Sequence, residues 1–155
     1  MGLIKLAKGW RKGAVKGNAK DQHMLAYCYD NGLEGVKRDQ VAAAWWYGKA
    51  ADKGHAEAQA SLGVCYEDGE GVEVNRELAT MWFRKAAEQN NAGGQFNLGQ
   101  CYALGEGVEQ DDALAVAWWK NRQRGAMTVR IALSAGATWT ARAAFPRTQC
   151  ARRSS

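Results

Sequence analysis

Two histidines, four cysteines and a group of carboxylates are the side chains of this chain that could do chemistry. His23 and His55 lack the HExxH spacing and no CxxC occurs, so a zinc site has no support in the sequence. Glu67, Asp68 and Glu70 fall close together. Paired carboxylates can exchange protons with a substrate, but three acids beside a glycine pair read first as an exposed acidic turn. GEGVEV and GEGVEQ invite comparison with phosphate-cradling loops. Neither completes GxGxxG nor ends in GK[ST], and both follow helical rather than strand patterns, so they read as helix–helix connectors. There is no SxxK or GxSxG, and no nucleophile stands beside a base. Cys28, Cys65 and Cys101 differ from the rest, because they recur at steps of 37 and 36 residues.

The same steps relate Leu25, Leu62 and Leu98, and Tyr29, Tyr66 and Tyr102. Val36, Val72 and Val108 are 36 apart, as are Trp46, Trp82 and Trp118. The extra residue of the first step sits where Gly32-Leu33-Glu34-Gly35 replaces Gly69-Glu70-Gly71. An insertion confined to a turn, with register restored after it, marks a modular array. A fixed period in the mid-thirties marks a helical solenoid.

Each unit reads as helix, glycine turn, helix. First helices are expected over about Ala19 to Asn31, His55 to Asp68, and Ala92 to Leu104. Their inward face carries Gln22, Leu25, Ala26 and Tyr29, then Gln59, Leu62, Gly63 and Tyr66, then Gln95, Leu98, Gly99 and Tyr102. The small residue after each leucine admits a neighbouring helix. Second helices open at Asp39, Asn75 and Asp111, all favoured N-cap types. Ala43, Ala79 and Ala115 keep the buried stripe narrow, and Trp46, Trp82 and Trp118 are expected to fill the space between repeats. Residues 1–20 echo a second helix, with Trp10-Arg11-Lys12-Gly13-Ala14 matching Tyr47-Gly48-Lys49-Ala50-Ala51. The chain is therefore expected to begin inside a repeat, as a fragment or a degraded copy would. A basic amphipathic helix on a membrane is the weaker alternative.

The pattern Ala-x-x-x-Leu-Gly-x-x-Tyr-x-x-Gly-x-Gly-Val, then Ala-x-x-Trp-x-x-Lys-Ala-Ala, resembles the Sel-one-like repeat family, relatives of the tetratricopeptide repeats. Leu62, Gly63, Tyr66, Gly69, Gly71, Val72, Ala79, Trp82, Lys85, Ala86 and Ala87 fall on it. The resemblance implies an all-α fold, a right-handed α/α superhelix of antiparallel helix pairs with about three repeats. The solenoid is expected over 1–120: a partial repeat at 1–18, repeats at 19–54 and 55–91, and an incomplete third at 92–120. After Lys120 the pattern fails, with Ser134 and Thr138 where leucine and tyrosine are due. Residues 121–155 form a basic tail, read either as a segment of different origin, such as an out-of-frame continuation, or as a divergent capping helix. A short helix near Met127 to Leu133 and disorder after Pro146 are expected there.

The net charge of +5 hides a division. Residues 1–20 hold six basic side chains and 121–155 hold seven arginines, none with an acid, whereas 21–120 carry 8 basic and 16 acidic residues. An acidic body argues against nucleic acid along the solenoid. No apolar run is long enough to span a membrane, and the start lacks a signal-peptide pattern. Column cysteines in stacked repeats sit about a helix diameter, ~10 Å, apart, too far for a disulfide. They read as buried small side chains, with Cys150 an exposed thiol, and a reducing compartment, the cytoplasm, fits best. A secreted, cysteine-rich branch of the family carries two cysteines per repeat that bridge paired helices. Penicillin-binding or β-lactamase activity is ascribed to it, and this chain departs from it with one cysteine per repeat.

The expected function is non-catalytic: a monomeric scaffold, without cofactor or metal, that binds a protein or peptide on its concave surface. Related proteins act as adaptors in signalling, quality control or bacterial–host contact. The alternative is a β-lactam-binding or β-lactamase-like enzyme, by analogy with the cysteine-rich branch. Positions within the first helices that vary from repeat to repeat mark the face that the fold leaves free. These are Met24, Tyr27 and Asn31, then Ser61, Val64 and Asp68, then Asn97, Gln100 and Leu104, at i, i+3 and i+7. They are the expected partner site, with Tyr27 its best anchor.

Overall fold

A computed structural model describes residues 2–130 of the chain, with side chains described over 8–124. Seven helices follow one another among these residues: α1 (Gly2–Val15), α2 (Ala19–Asn31), α3 (Gln40–Asp52), α4 (Ala56–Asp68), α5 (Arg76–Glu88), α6 (Ala92–Leu104) and α7 (Asp112–Arg130). Each packs on the next, and α4 also touches α6, as in a stack of helix pairs. The expectations for residues 131–155, Cys150 included, lie outside the described residues.

Side-chain oxygens start the second helices where Asp39, Asn75 and Asp111 were expected to. Their Oδ1 atoms accept from the backbone N–H of Ala42, Leu78 and Leu114 at 3.1, 3.0 and 3.1 Å. Each satisfies one of the amides that a helix leaves unpaired at its start. Asn18 and Asn91 cap α2 and α6 in the same way, and at α4 the Nδ1 of His55 does so. The turns close identically three times: the N–H of Asp39, Asn75 and Asp111 donates to the carbonyl of Tyr29, Tyr66 and Tyr102 at 2.8 Å.

A column of buried glutamines ties the units together. Gln22, Gln59 and Gln95 donate from Nε2 to the carbonyls of Ala14, Ala51 and Ala87 at 3.1, 3.2 and 3.4 Å. Those carbonyls lie in the last turn of the preceding helix, where intrahelical partners run out. Because Ala14 occupies the position of Ala51 and Ala87, α1 docks on α2 as α3 docks on α4 and α5 on α6.

The core corrects the sequence reading at one column. Trp46, Trp82 and Trp118 lie at the margin, packed against the core but partly exposed. The next residue in each helix plugs the interior: Tyr47, Phe83 and Trp119 are all buried, Phe83 completely. A Cβ added to Gly63 would lie 2.5 Å from the Phe83 ring, and one added to Gly99 would lie 2.3 Å from the Trp119 indole. The small residue after each leucine is thus the socket for the large aromatic of the same repeat. Helix α7 also departs from its counterparts, running 19 residues where α3 and α5 run 13.

Cys28, Cys65 and Cys101 are free and buried, as the column predicts. Burial pushes the thiols of Cys65 and Cys101 up to about 12, far from the thiolate range that a nucleophile needs. All three should react with a soluble thiol reagent only at the rate of unfolding. Fast labelling of any of them in native buffer, read by mass spectrometry, would show that the column is open.

Candidate functional site

The variable positions of the first helices differ in exposure from one repeat to the next. On α2, Tyr27 is 48% exposed and Asn31 is exposed, its Nδ2 donating to the Tyr27 carbonyl at 3.0 Å, while Met24 is half-buried. On α4, Ser61, Val64 and Asp68 are half-buried, and Val64 packs against the second core cluster. On α6, Asn97 and Leu104 are half-buried and Gln100 is buried, 4% exposed. The free surface of this stripe is therefore concentrated on α2, around Tyr27. Burial suppresses the ionisation of the Tyr47 hydroxyl.

A second surface, unsuspected in the sequence, opens along the second helices. Val41 and Trp45 are exposed on α3, Trp45 to 56%. Beside them runs a groove of about 420 Å³ between α3 and α5, with Tyr66 of α4 and Trp82 of α5 among its lining. Gly48 borders it, and a Cβ added there would meet nothing within 4 Å. The signal was present in the sequence as a broken column, since Arg11 and Arg84 stand where Gly48 does.

The fold also gathers the two histidines, which the sequence left apart. His23 of α2 and His55 at the start of α4 stack with ring centroids 4.9 Å apart, and Glu57 lies 3.8 Å from His23. Their ligand atoms fall within 4.8 Å of one another. A neutral imidazole has one lone pair, and that of His55 accepts the Ala58 N–H at 3.2 Å, so this ring caps a helix rather than facing an ion. Burial, then the neighbouring His55, lowers the His23 pKa below 6.5, against a smaller pull from Glu57. A histidine held neutral by the fold costs stability once the unfolded chain can take up a proton. Stability should therefore be level above about pH 7 and fall as pH drops through 6.5 toward the folded value. His23→Phe, which copies Phe96 of the third repeat, should flatten that fall in urea melts across pH. An identical slope in the variant would assign the acid loss to other groups.

The carboxylates near the second turn are less exposed than their spacing suggested. Glu67 is buried, and Asp68 and Glu70 are half-buried. Burial, then Asp30, raises the Glu70 pKa.

Three comparisons with known proteins bear on this geometry. A family model described as the Sel1 repeat matches residues 19–55, 56–91 and 92–121. The chain is 40% identical over 58 residues to the ERAD-associated E3 ubiquitin-protein ligase component HRD3A of Arabidopsis thaliana, a stretch covering 37% of this chain and 9% of that protein. Among solved structures it is similar to a Sel1 repeat protein from Oxalobacter formigenes, with a TM-score of 0.73 and 29% identity, covering 79% of this chain and 48% of that one. It is also similar to a protective antigen of uropathogenic Escherichia coli with an SLR fold, with a TM-score of 0.71 and 38% identity, covering 78% and 28%. The cysteine-rich protein B of Helicobacter pylori shares the fold alone, with a TM-score of 0.60 and 21% identity over 76% of this chain and 89% of that one. The chain thus spans under half the length of the first two structures and about a tenth of the Arabidopsis protein.

Proposed function

The chain belongs to the Sel1 repeat family, and from that premise we propose that it is a non-catalytic scaffold that binds a protein partner through the first-helix stripe centred on Tyr27. Proteins of this family are generally scaffolds for protein–protein interaction, and the helical solenoid with its extended surface suits that use. HRD3A, by its name a component of an E3 ubiquitin-protein ligase, is one relative.

The observation that carries the reading is Tyr27. It is an aromatic ring, 48% exposed, on a helix whose inward face is already filled by Leu25, Ala26 and Cys28. Packing does not require it, and exposed tyrosines are common binding anchors. Tyr27→Ala is expected to weaken partner binding by at least about 1 kcal/mol and to leave the unfolding midpoint nearly unchanged. Calorimetry with a partner recovered by pull-down, run beside thermal melts, measures both. Unchanged affinity removes Tyr27 from the site, and a collapsed midpoint assigns it to the core.

We place the chain in the cytoplasm as a monomer that does not bind nucleic acid. The column of free thiols supports a reducing compartment, and the acidic body supports the third point. Sedimentation that reports a dimer, or binding to DNA that falls steeply with salt, would overturn the corresponding part.

A further inference from the structure

The repeats of this chain are three solutions to one packing problem, and the second lacks a piece. Arg11 of α1 donates from Nη2 to the Tyr29 hydroxyl at 3.2 Å. Arg84 of α5 donates from Nη2 to the Tyr102 hydroxyl at 2.7 Å. In both pairs the arginine precedes its tyrosine by 18 residues. The same offset from Tyr66 leads back to Gly48, which has no side chain. No hydrogen bond reaches the Tyr66 hydroxyl from the described residues.

Packing does not explain this glycine. It sits inside α3, where glycine costs about 1 kcal/mol against alanine, and its missing Cβ would touch nothing. Its effect is to leave open the groove between α3 and α5, whose lining includes Trp45, Trp82, Tyr66 and Asp52. The shape and chemistry of what is missing are given by the other two repeats: a guanidinium that donates to a tyrosine hydroxyl.

We propose that this groove is a binding site for an arginine side chain presented by a partner protein. The inference rests on the reading of the chain as a protein-binding scaffold and names the chemistry of the residue it takes. Tyr66 supplies the acceptor that Tyr29 and Tyr102 supply to Arg11 and Arg84. The tryptophan faces suit a planar, weakly hydrated cation, and the Asp52 carboxylate and the acidic body attract it. Lys49 also borders the groove, its Nζ 4.8 Å from the Trp45 ring. That charge does not bar an arginine, because Lys85, the counterpart of Lys49, lies next in sequence to Arg84 itself and rests 4.6 Å from the Trp82 ring.

The test is an NMR titration of the full chain with a capped Gly-Arg-Gly peptide and with its lysine and citrulline counterparts. The indole N–H resonances of Trp45 and Trp82 report on the groove. The arginine peptide should shift both saturably, and the other two should bind at least about fivefold more weakly, since neither offers a charged planar fork. Gly48→Arg, which installs the side chain used by the other repeats, should fold normally and abolish the shifts. Shifts that persist in Gly48→Arg, that are equal for the three peptides, or that do not occur would overturn the proposal. So would resonances of the free chain that already report a filled groove and change on removal of residues 131–155, which would assign the site to the chain's own arginines. None of these outcomes touches the Tyr27→Ala measurement, so the groove and the first-helix stripe fail separately.

Discussion

Replacing Phe83 with alanine is expected to lower the unfolding free energy by about 3–5 kcal/mol, the range for deleting a fully buried aromatic. The ring has no exposed surface and belongs to the cluster with Ala79, Ala87, Leu98 and Cys101. It also occupies the socket left by Gly63, so its removal leaves a cavity between α4 and α5 that helix backbones cannot close. In a three-repeat array each unit leans on its neighbours, and losing the central interface unfolds the whole. The adjacent Trp82→Ala should cost less, although it removes a larger side chain. Trp82 is half-buried, and the Lys85 ammonium lies 4.6 Å from its ring centroid. Urea denaturation of the two variants decides the order. A larger loss at Trp82 would return the tryptophan column to the core.

Gly71→Ala is expected to cost more than about 2 kcal/mol, for two reasons that add. Its φ of +74° is a conformation that costs an L-residue about 1–2 kcal/mol. The added Cβ would also lie 2.1 Å from the carbonyl oxygen of Gln40, backbone in the first turn of α3 that has no freedom to retreat. The second turn must ride this closely on α3 for repeats one and two to stack, and Gly107 repeats the approach at 2.3 Å from the Arg76 carbonyl. Gly54→Ala is the control. Its φ is +88° but nothing lies within 4 Å of the added atom, so only the conformational part, about 1 kcal/mol, should appear. The corresponding position in the next repeat is Asn90 at φ +63°, which shows that a side chain fits there. Equal shifts of the melting midpoint for the two alanine variants would mean that the Gly71 turn relaxes away from α3.

The sequence by itself determined the period, the helices, their caps and the burial of the cysteine column. Each rests on a residue type that recurs because its local role recurs. Asp39, Asn75 and Asp111 must each offer an oxygen to a helix start, and Cys28, Cys65 and Cys101 must each be small and apolar. Recurrence is weaker where a role is defined by volume or by a distant partner. Tyr47, Phe83 and Trp119 look like a variable column and are the constant plug, because a socket selects size and shape rather than identity. Trp46, Trp82 and Trp118 look invariant, yet sit at the margin. Among the nine expected contact positions, Tyr27 and Gln100 share a register but not an exposure, because exposure depends on what lies across the helix as well as on the helix itself. The stack of His23 on His55 and the open groove at Gly48 were decided only when the units were laid side by side. Each depends on residues from different repeats, and a pattern read along one dimension carries no record of which side chains meet across the other.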